Sequence, residues 1–355
     1  MKLTLKRILA LLFPVQLILV WWLKQHPQGI ETYYSNGIYP FISKALRFLL
    51  GWLPFSVGDL LYVTLGILIV RFLFRNWKLF FTSTRKFLIA VFAFVSVLYF
   101  AFQLFWGMNY HRSPLHATLG IGSKYTTEEL IELTEQLTTR CNALHQKLSV
   151  NDTTKIAIPY SRSEIYEKTE ESYLSLQESY PLFRYHPPSL KSSLLSLPLT
   201  YMGYSGYLNP FTNEAQVNYM MPAYKLPTTS AHEVAHQIGY GPENEANFVG
   251  YLATIHNPDP IFQYVGYTYA LRYCLGEVYR RDPEAFERLS NLVNKGIKEN
   301  YREGREFWQK YENPAEPVFK KSYDTYLKAN SQEKGIESYS YVVALLVNYY
   351  KTTPL

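Results

Sequence analysis

The segment FLIAVFAFVSVLYFAFQLFW, from Phe87 to Trp106, runs for twenty residues without a charge. A helix rising 1.5 Å per residue needs about this length to cross the hydrocarbon core of a bilayer. Irregular chain cannot take its place, because every backbone polar group exposed to lipid must be satisfied within the segment itself. The chain is therefore expected to contain a membrane-spanning helix, and the rest must fold around it.

Two weaker stretches join it. One runs from about Leu60 to Phe74 and meets Arg71 near its end; the other covers Ile8 to Leu23, follows the basic start MKLTLKR and contains Pro14 and Gln16. The expected spans are about 8–23, 58–74 and 87–107, within a membrane anchor of residues 1–108. The first is read as an anchor and not a cleaved leader. No small-x-small site follows it, and Trp21 and Trp22 suit a membrane interface. The stretch Gly37 to Gly58 is apolar but broken by Lys44, Arg47 and Pro54, and reads as an interfacial helix or a re-entrant segment. Lys2, Lys6 and Arg7 precede the first span, and Arg71, Arg75, Lys78, Arg85 and Lys86 lie between the second and third. The positive-inside rule puts these on the cytoplasmic side and carries residues 109–355 across the membrane. Flanking charge accounts for the net +6, and without a dense Lys/Arg run nucleic-acid binding is not expected.

Beyond Tyr110 the pattern is that of a mainly α domain with a small β region. Thr126 with Glu129 forms a capping box before an amphipathic stretch ending near Leu148, and Ser161 with Glu164 opens a second helix to about Glu178. Between Pro187 and Pro222 the chain is rich in Ser, Pro, Gly and Tyr, with an alternating run from Glu214 to Met220. Cys141 and Cys274 are too far apart for a CxxC motif; one disulfide or two buried thiols remain open.

The chemistry lies in His232-Glu233-Val234-Ala235-His236. Residues at i and i+4 share a helix face, so both imidazoles can reach one Zn²⁺, and Glu233 between them can serve as general base. Pro227 and Thr228-Thr229-Ser230 supply helix-start chemistry, Ala231 and Ala235 permit close packing, and Gly239 can end the helix in a left-handed turn. Zinc needs a third protein ligand and keeps its fourth position for water. The metzincin pattern would place a His at 242, where the chain has Pro242. A turn over Gly239-Tyr240-Gly241-Pro242 would instead return a second helix to the histidines, bringing Glu243 or Glu245 within reach. Asn244 and Asn247 are candidates to hydrogen-bond the ligands. Glu214, Gln216 and Asn218, on the extended run upstream, are candidates for a strand to which substrate backbone adds, or for a plain hairpin. His256 reads as a capping or surface residue. Tyr339 and Tyr341 are candidates to stabilise an oxyanion, set against plain aromatic packing.

Asn244-Glu245-Ala246 is similar to the Asn-Glu-Ala of gluzincins, the thermolysin-like peptidases, a resemblance that favours Glu245 as the third ligand. The nine-residue step from His236 is shorter than is usual there. The run HEVAHQIGYGPENEANFVGYL, with GYSGYLNPFTNEAQVN before it, WGMNYHRSPL after the last span and YLKANSQEKGIESYSYVV near the end, resembles the bacterial domain-of-unknown-function 3810 family of membrane proteins over nearly the whole chain. The resemblance implies membrane attachment and a zincin-like metal site, and no substrate.

The expected function is a membrane-anchored zinc metallohydrolase of the bacterial inner membrane. It is expected to be a peptidase working on the extracytoplasmic side on a peptide, envelope protein or cell-wall stem peptide. The alternative is a non-catalytic zinc-binding scaffold or regulator. The polar flanks of HExxH exclude a site within the bilayer core, and three spans are few for a transporter.

Overall fold

The computed structural model describes residues 4–330 and 341–355. Three helices are long and apolar enough to cross a bilayer: α1 (Leu5–Leu23), the first 22 residues of α3 (Val57–Thr82), and α4 (Thr84–Phe105). Their outer surfaces present large apolar side chains such as Leu11, Ile67, Phe74 and Phe100. Such surfaces call for lipid or partner coverage. The second of these helices does not end near Phe74, where its span is expected to end. α3 continues through Arg75 and Lys78, and only Ser83 separates it from α4. Arg and Lys are good helix formers whose long stems reach an interface from a helix, so a basic cluster need not be a loop.

Most of the stretch 37–58 is helical. A π-helical stretch, Ile30–Ile38, leads directly into α2, Tyr39–Leu50. Tyr39, Ser43 and Arg47 of α2 are buried against the rest of the protein, while Phe41, Phe48, Leu49 and, just beyond, Trp52 stay exposed. Its apolar face thus points outward. This inverts the pattern of a soluble surface helix and fits the interfacial reading.

The remainder is mainly helical. Both capping boxes form, at the starts of α5 (Thr127–Leu148) and α6 (Arg162–Ser179). α7 (Leu226–Gln237), α8 (Glu243–His256) and α9 (Pro260–Arg281) pack with these and with the last helix (Val342–Tyr350) around one apolar core. Between α9 and that helix lie α10 (Lys295–Lys310) and α11 (Glu316–Ala329). Cys141 and Cys274 are buried free thiols.

A three-stranded sheet, ordered β1-β3-β2, lies beside α7. β1 (Leu190–Ser192) runs parallel to β3 (Glu214–Val217), and β2 (Gly206–Asn209) antiparallel to it. The sheet also holds the start of α3. Glu214, wholly buried, accepts from Val57 N at 3.1 Å and from Gly58 N at 2.6 Å, and pairs with Lys191 at 2.7 Å. Asp59 accepts from Leu194 N at 2.7 Å, from Ser193 and from the Tyr207 phenol. A span is thereby joined to the sheet through satisfied buried charges. Lys191→Met would leave Glu214 buried without its cation. We expect a loss of about 3–5 kcal/mol in thermal unfolding of the detergent-solubilised chain, partly recovered by adding Glu214→Gln.

Candidate metal centre

α7 begins one turn earlier than its Thr-Thr-Ser run suggests. A 3-10 turn over Ala223–Lys225 feeds into it, Pro227 stands in its first turn, and no side chain caps its start. Thr228, Thr229 and Ser230 therefore lie inside the helix. Pro227 suits the first turn, where its missing N–H costs no hydrogen bond. At the other end Gly239, at φ +99°, turns the chain out of the helix. Ala231 and Ala235 are buried, and Gly250 of α8 lies so close to α7 that a Cβ there would stand 2.8 Å from His232 N. Small residues on both helices thus set the approach of α8 to the motif.

That approach brings Glu243, the first residue of α8, to both histidines. Its carboxylate oxygens lie 3.3 Å from His232 Nε2 and 3.5 Å from His236 Nε2. His232, Glu233 and His236 themselves present ligand atoms within 4.8 Å of one another. The structure differs here from the sequence expectation, which favoured Glu245. Two residues further on, Glu245 points about 200° around the helix from Glu243. It accepts from Leu115 N at 2.7 Å and is buried with Arg112 nearby. The tight Gly239–Pro242 reversal makes the first helical residue, not the third, the one that faces the motif.

The spacing is longer than a charged hydrogen bond and also compatible with a metal between the three groups. Charged N–H···O bonds run about 2.7–2.9 Å. Four ligands about 2.0–2.1 Å from zinc in a tetrahedron stand about 3.3–3.4 Å from one another. His236 Nδ1 donates to Tyr240 O at 2.7 Å, which leaves Nε2 as the free lone pair of the neutral ring. The Tyr323 phenol of α11 donates to Glu243 Oε1. Glu233 is buried, and its Oε2 has no hydrogen-bond partner among the described residues.

Electrostatics follow from burial. Desolvation raises the Glu233 carboxyl to about 7, against the two imidazoles, which lower it. Burial alone would lower His236, but the Glu243 carboxylate overrides it and raises the imidazole to about 9. Burial would likewise raise Glu243, yet the two histidines hold it well below the usual carboxylate range. Burial brings Glu245 up to about 7.

The cluster lines a cleft of about 1070 Å³, above the usual range of small-molecule sites and roomy enough for an extended substrate. Tyr62 and Phe102 of the apolar helices form part of its wall, as does β2. Gly206 of β2 passes so near Glu233 that a Cβ would lie 2.6 Å from Oε1. Glu214, Gln216 and Asn218 do not form a substrate strand. β3 is the middle strand of its sheet, hydrogen-bonded on both sides, and these three side chains are buried. Asn218 bonds to Thr200 and Tyr204, and Glu214 is the anchor-binding residue described above. The free edge that faces the cleft is β2. Of the two asparagines, Asn247 lines the cleft and accepts from Tyr269 at 2.6 Å, whereas Asn244 is half-buried and does not line it. His256 bonds within its own helix end, its Nδ1 donating to Leu252 O at 2.8 Å. Tyr339 lies outside the described residues, and Tyr341 does not line the cleft. Tyr323 and Tyr326 were not legible as site residues. They arrive from a helix some ninety positions beyond the motif, and no local pattern marks them among 32 tyrosines.

The family described as "Protein of unknown function (DUF3810)" matches residues 34–347, and the chain belongs to it. No curated protein and no solved structure matches the chain.

Two outcomes test the ligand set. For a cluster that holds zinc, Glu243→Ala should weaken its binding by at least about 100-fold, whereas Glu245→Ala should leave its stoichiometry unchanged and lower only thermal stability. Elemental analysis and chelator competition read the first, melting the second. A zinc ion bound here would also have to displace the proton that Glu243 holds on His236. Its apparent affinity should therefore fall as pH drops through about 9, approaching about tenfold per unit.

Proposed function

We propose that the chain is a membrane-anchored zinc metallohydrolase, and specifically a peptidase with its cleft on the extracytoplasmic side of a bacterial inner membrane. The observation that carries this reading is the convergence of two histidine Nε2 atoms on the Glu243 carboxylate at metal-ligand spacing, beside a buried carboxyl with an unpartnered oxygen. His232, His236 and Glu243 would hold Zn²⁺. When bound, zinc supplies Lewis-acid activation of water and of a substrate carbonyl.

The protein's own groups supply the rest. Glu233, buried beside the two histidines with Oε2 unpartnered, is poised to take a proton from water and return it to a leaving amine. The Tyr323 hydrogen bond and the Tyr240 carbonyl fix the orientation of Glu243 and His236. The edge of β2 offers backbone groups to which an extended peptide can add antiparallel, and Gly206 leaves it room to lie against Glu233. The distribution of Lys and Arg supports the orientation. The cleft wall built by Tyr62 and Phe102 favours substrates held close to the membrane surface. A scaffold role in which zinc is purely structural is disfavoured by the cleft beside the cluster, since structural zinc sites are closed by four protein ligands.

The deciding variant is Glu233→Gln in the full-length chain. It should retain zinc and lose peptide cleavage by at least about 1000-fold in a peptide-library assay. Wild-type protein that binds no zinc, or a variant that cleaves like wild type, overturns the proposal.

A further inference from the structure

A second group of side chains faces the same cleft and takes no part in the metal cluster. Lys225, Arg272 and Arg305 all line it, from the turn before α7, from α9 and from α10. Among the described residues none of the three makes an ion pair or a side-chain hydrogen bond. The nearby carboxylates are engaged elsewhere, Glu303 with Lys155 at 3.0 Å and Glu306 with Arg302. Glu312, which also lines the cleft, stands outside ion-pair distance of all three. Arg272 lies over two aromatic rings, its Cζ 5.0 Å from the Tyr273 centroid and 6.0 Å from that of Tyr269.

The place for Lys225 is built. Its stem crosses α10 where residue 304 is glycine, and a Cβ there would lie 2.7 Å from Cε and 3.5 Å from Nζ. Glycine inside a helix lowers stability, so it carries a cost that a positioned lysine would explain. Burial, with the guanidinium groups of Arg272 and Arg305 nearby, pushes the Lys225 ammonium down to about 7. Three cations facing one another without a counter-charge repel; an oxyanion between them would remove that repulsion and accept charge-assisted hydrogen bonds. The group is also connected to the metal cluster. Asn247 stands one helical turn beyond Glu243 on the same face of α8, and accepts from Tyr269, on whose ring Arg272 lies.

We propose that Lys225, Arg272 and Arg305 form an anion-binding subsite of the cleft, which takes a carboxylate or phosphate group carried by the substrate. The word substrate rests on the hydrolase reading, but the binding itself does not. The test uses the full-length chain in detergent, freed of metal by chelator. Calorimetry measures binding of inorganic phosphate, of a capped peptide containing one Glu, and of its Gln counterpart. Saturable binding of phosphate or of the Glu peptide, with none of the Gln peptide, is expected, and which of the two binds identifies the source of the anion. Lys225→Met and Arg272→Met should each weaken it by at least about tenfold, as the loss of a charge-assisted hydrogen bond requires. Lys225→Arg should restore most of it. Gly304→Ala, which improves helix propensity and displaces only the flexible end of Lys225, should weaken binding without harming the fold. Equal binding by wild type and these variants, or no binding of either anion, overturns the inference. Protein that holds zinc but neither anion sinks this proposal alone, and protein that binds an anion but no zinc sinks the metal reading alone.

Discussion

A helix ends with carbonyl groups that its own backbone cannot satisfy, and in this protein the end of the motif helix is completed by residues that precede it by more than a hundred positions. Gln237 O accepts from Tyr39 at 2.8 Å and from Ser43 at 3.1 Å, and His236 O from Trp106 Nε1 at 2.9 Å. Gly239 O accepts from Arg112 at 3.1 Å. Arg112 lies over the Tyr240 ring and is held in turn by Glu31, with Nε 2.8 Å from Oε2. The membrane-proximal segments are therefore the cap of the helix that carries both histidines. Separating residues 109–355 from the anchor would remove Glu31, Tyr39, Ser43 and Trp106 together and leave these carbonyls buried or frayed.

The same arrangement explains why Glu243 reaches the histidines. The reversal between α7 and α8 is pinned at Gly239 O from outside, and α8 is admitted to α7 by Gly250. With the turn fixed and the helices in contact, the first residue of α8 has no other direction to face. Glu245 falls on the opposite side, where its carboxylate accepts from Leu115 N and helps seat the segment that follows Arg112.

How much of this could be read from the sequence divides along a physical line. Local signals were sufficient where a segment's own chemistry decides its structure: the three apolar spans, the capping boxes at Thr126 and Ser161, the HExxH helix and the glycine that ends it. They failed where tertiary packing decides. The choice between Glu243 and Glu245 depends on helix phase after a turn whose geometry Arg112 helps set. The alternating run at 214–220 reads equally well as an edge or a middle strand, because alternation reports two-faced burial and not neighbours; β1 covers the side that would have been open. Tyr323 and Arg305 meet the cleft only because α10 and α11 fold back across it, and nothing within those helices records that.

α2 faces two environments at once. Ser43 on its inner side holds the end of the motif helix, while Phe41, Phe48 and Trp52 on its outer side lie uncovered. In a bilayer that outer face would float at the boundary between headgroups and acyl chains, and the helix is too short and too firmly bonded to let its two faces move apart. The molecule then has something like a waterline. The height of the cleft above the lipid would then be set by one twelve-residue helix, so that a group at that height could enter it and a chemically identical group further out could not.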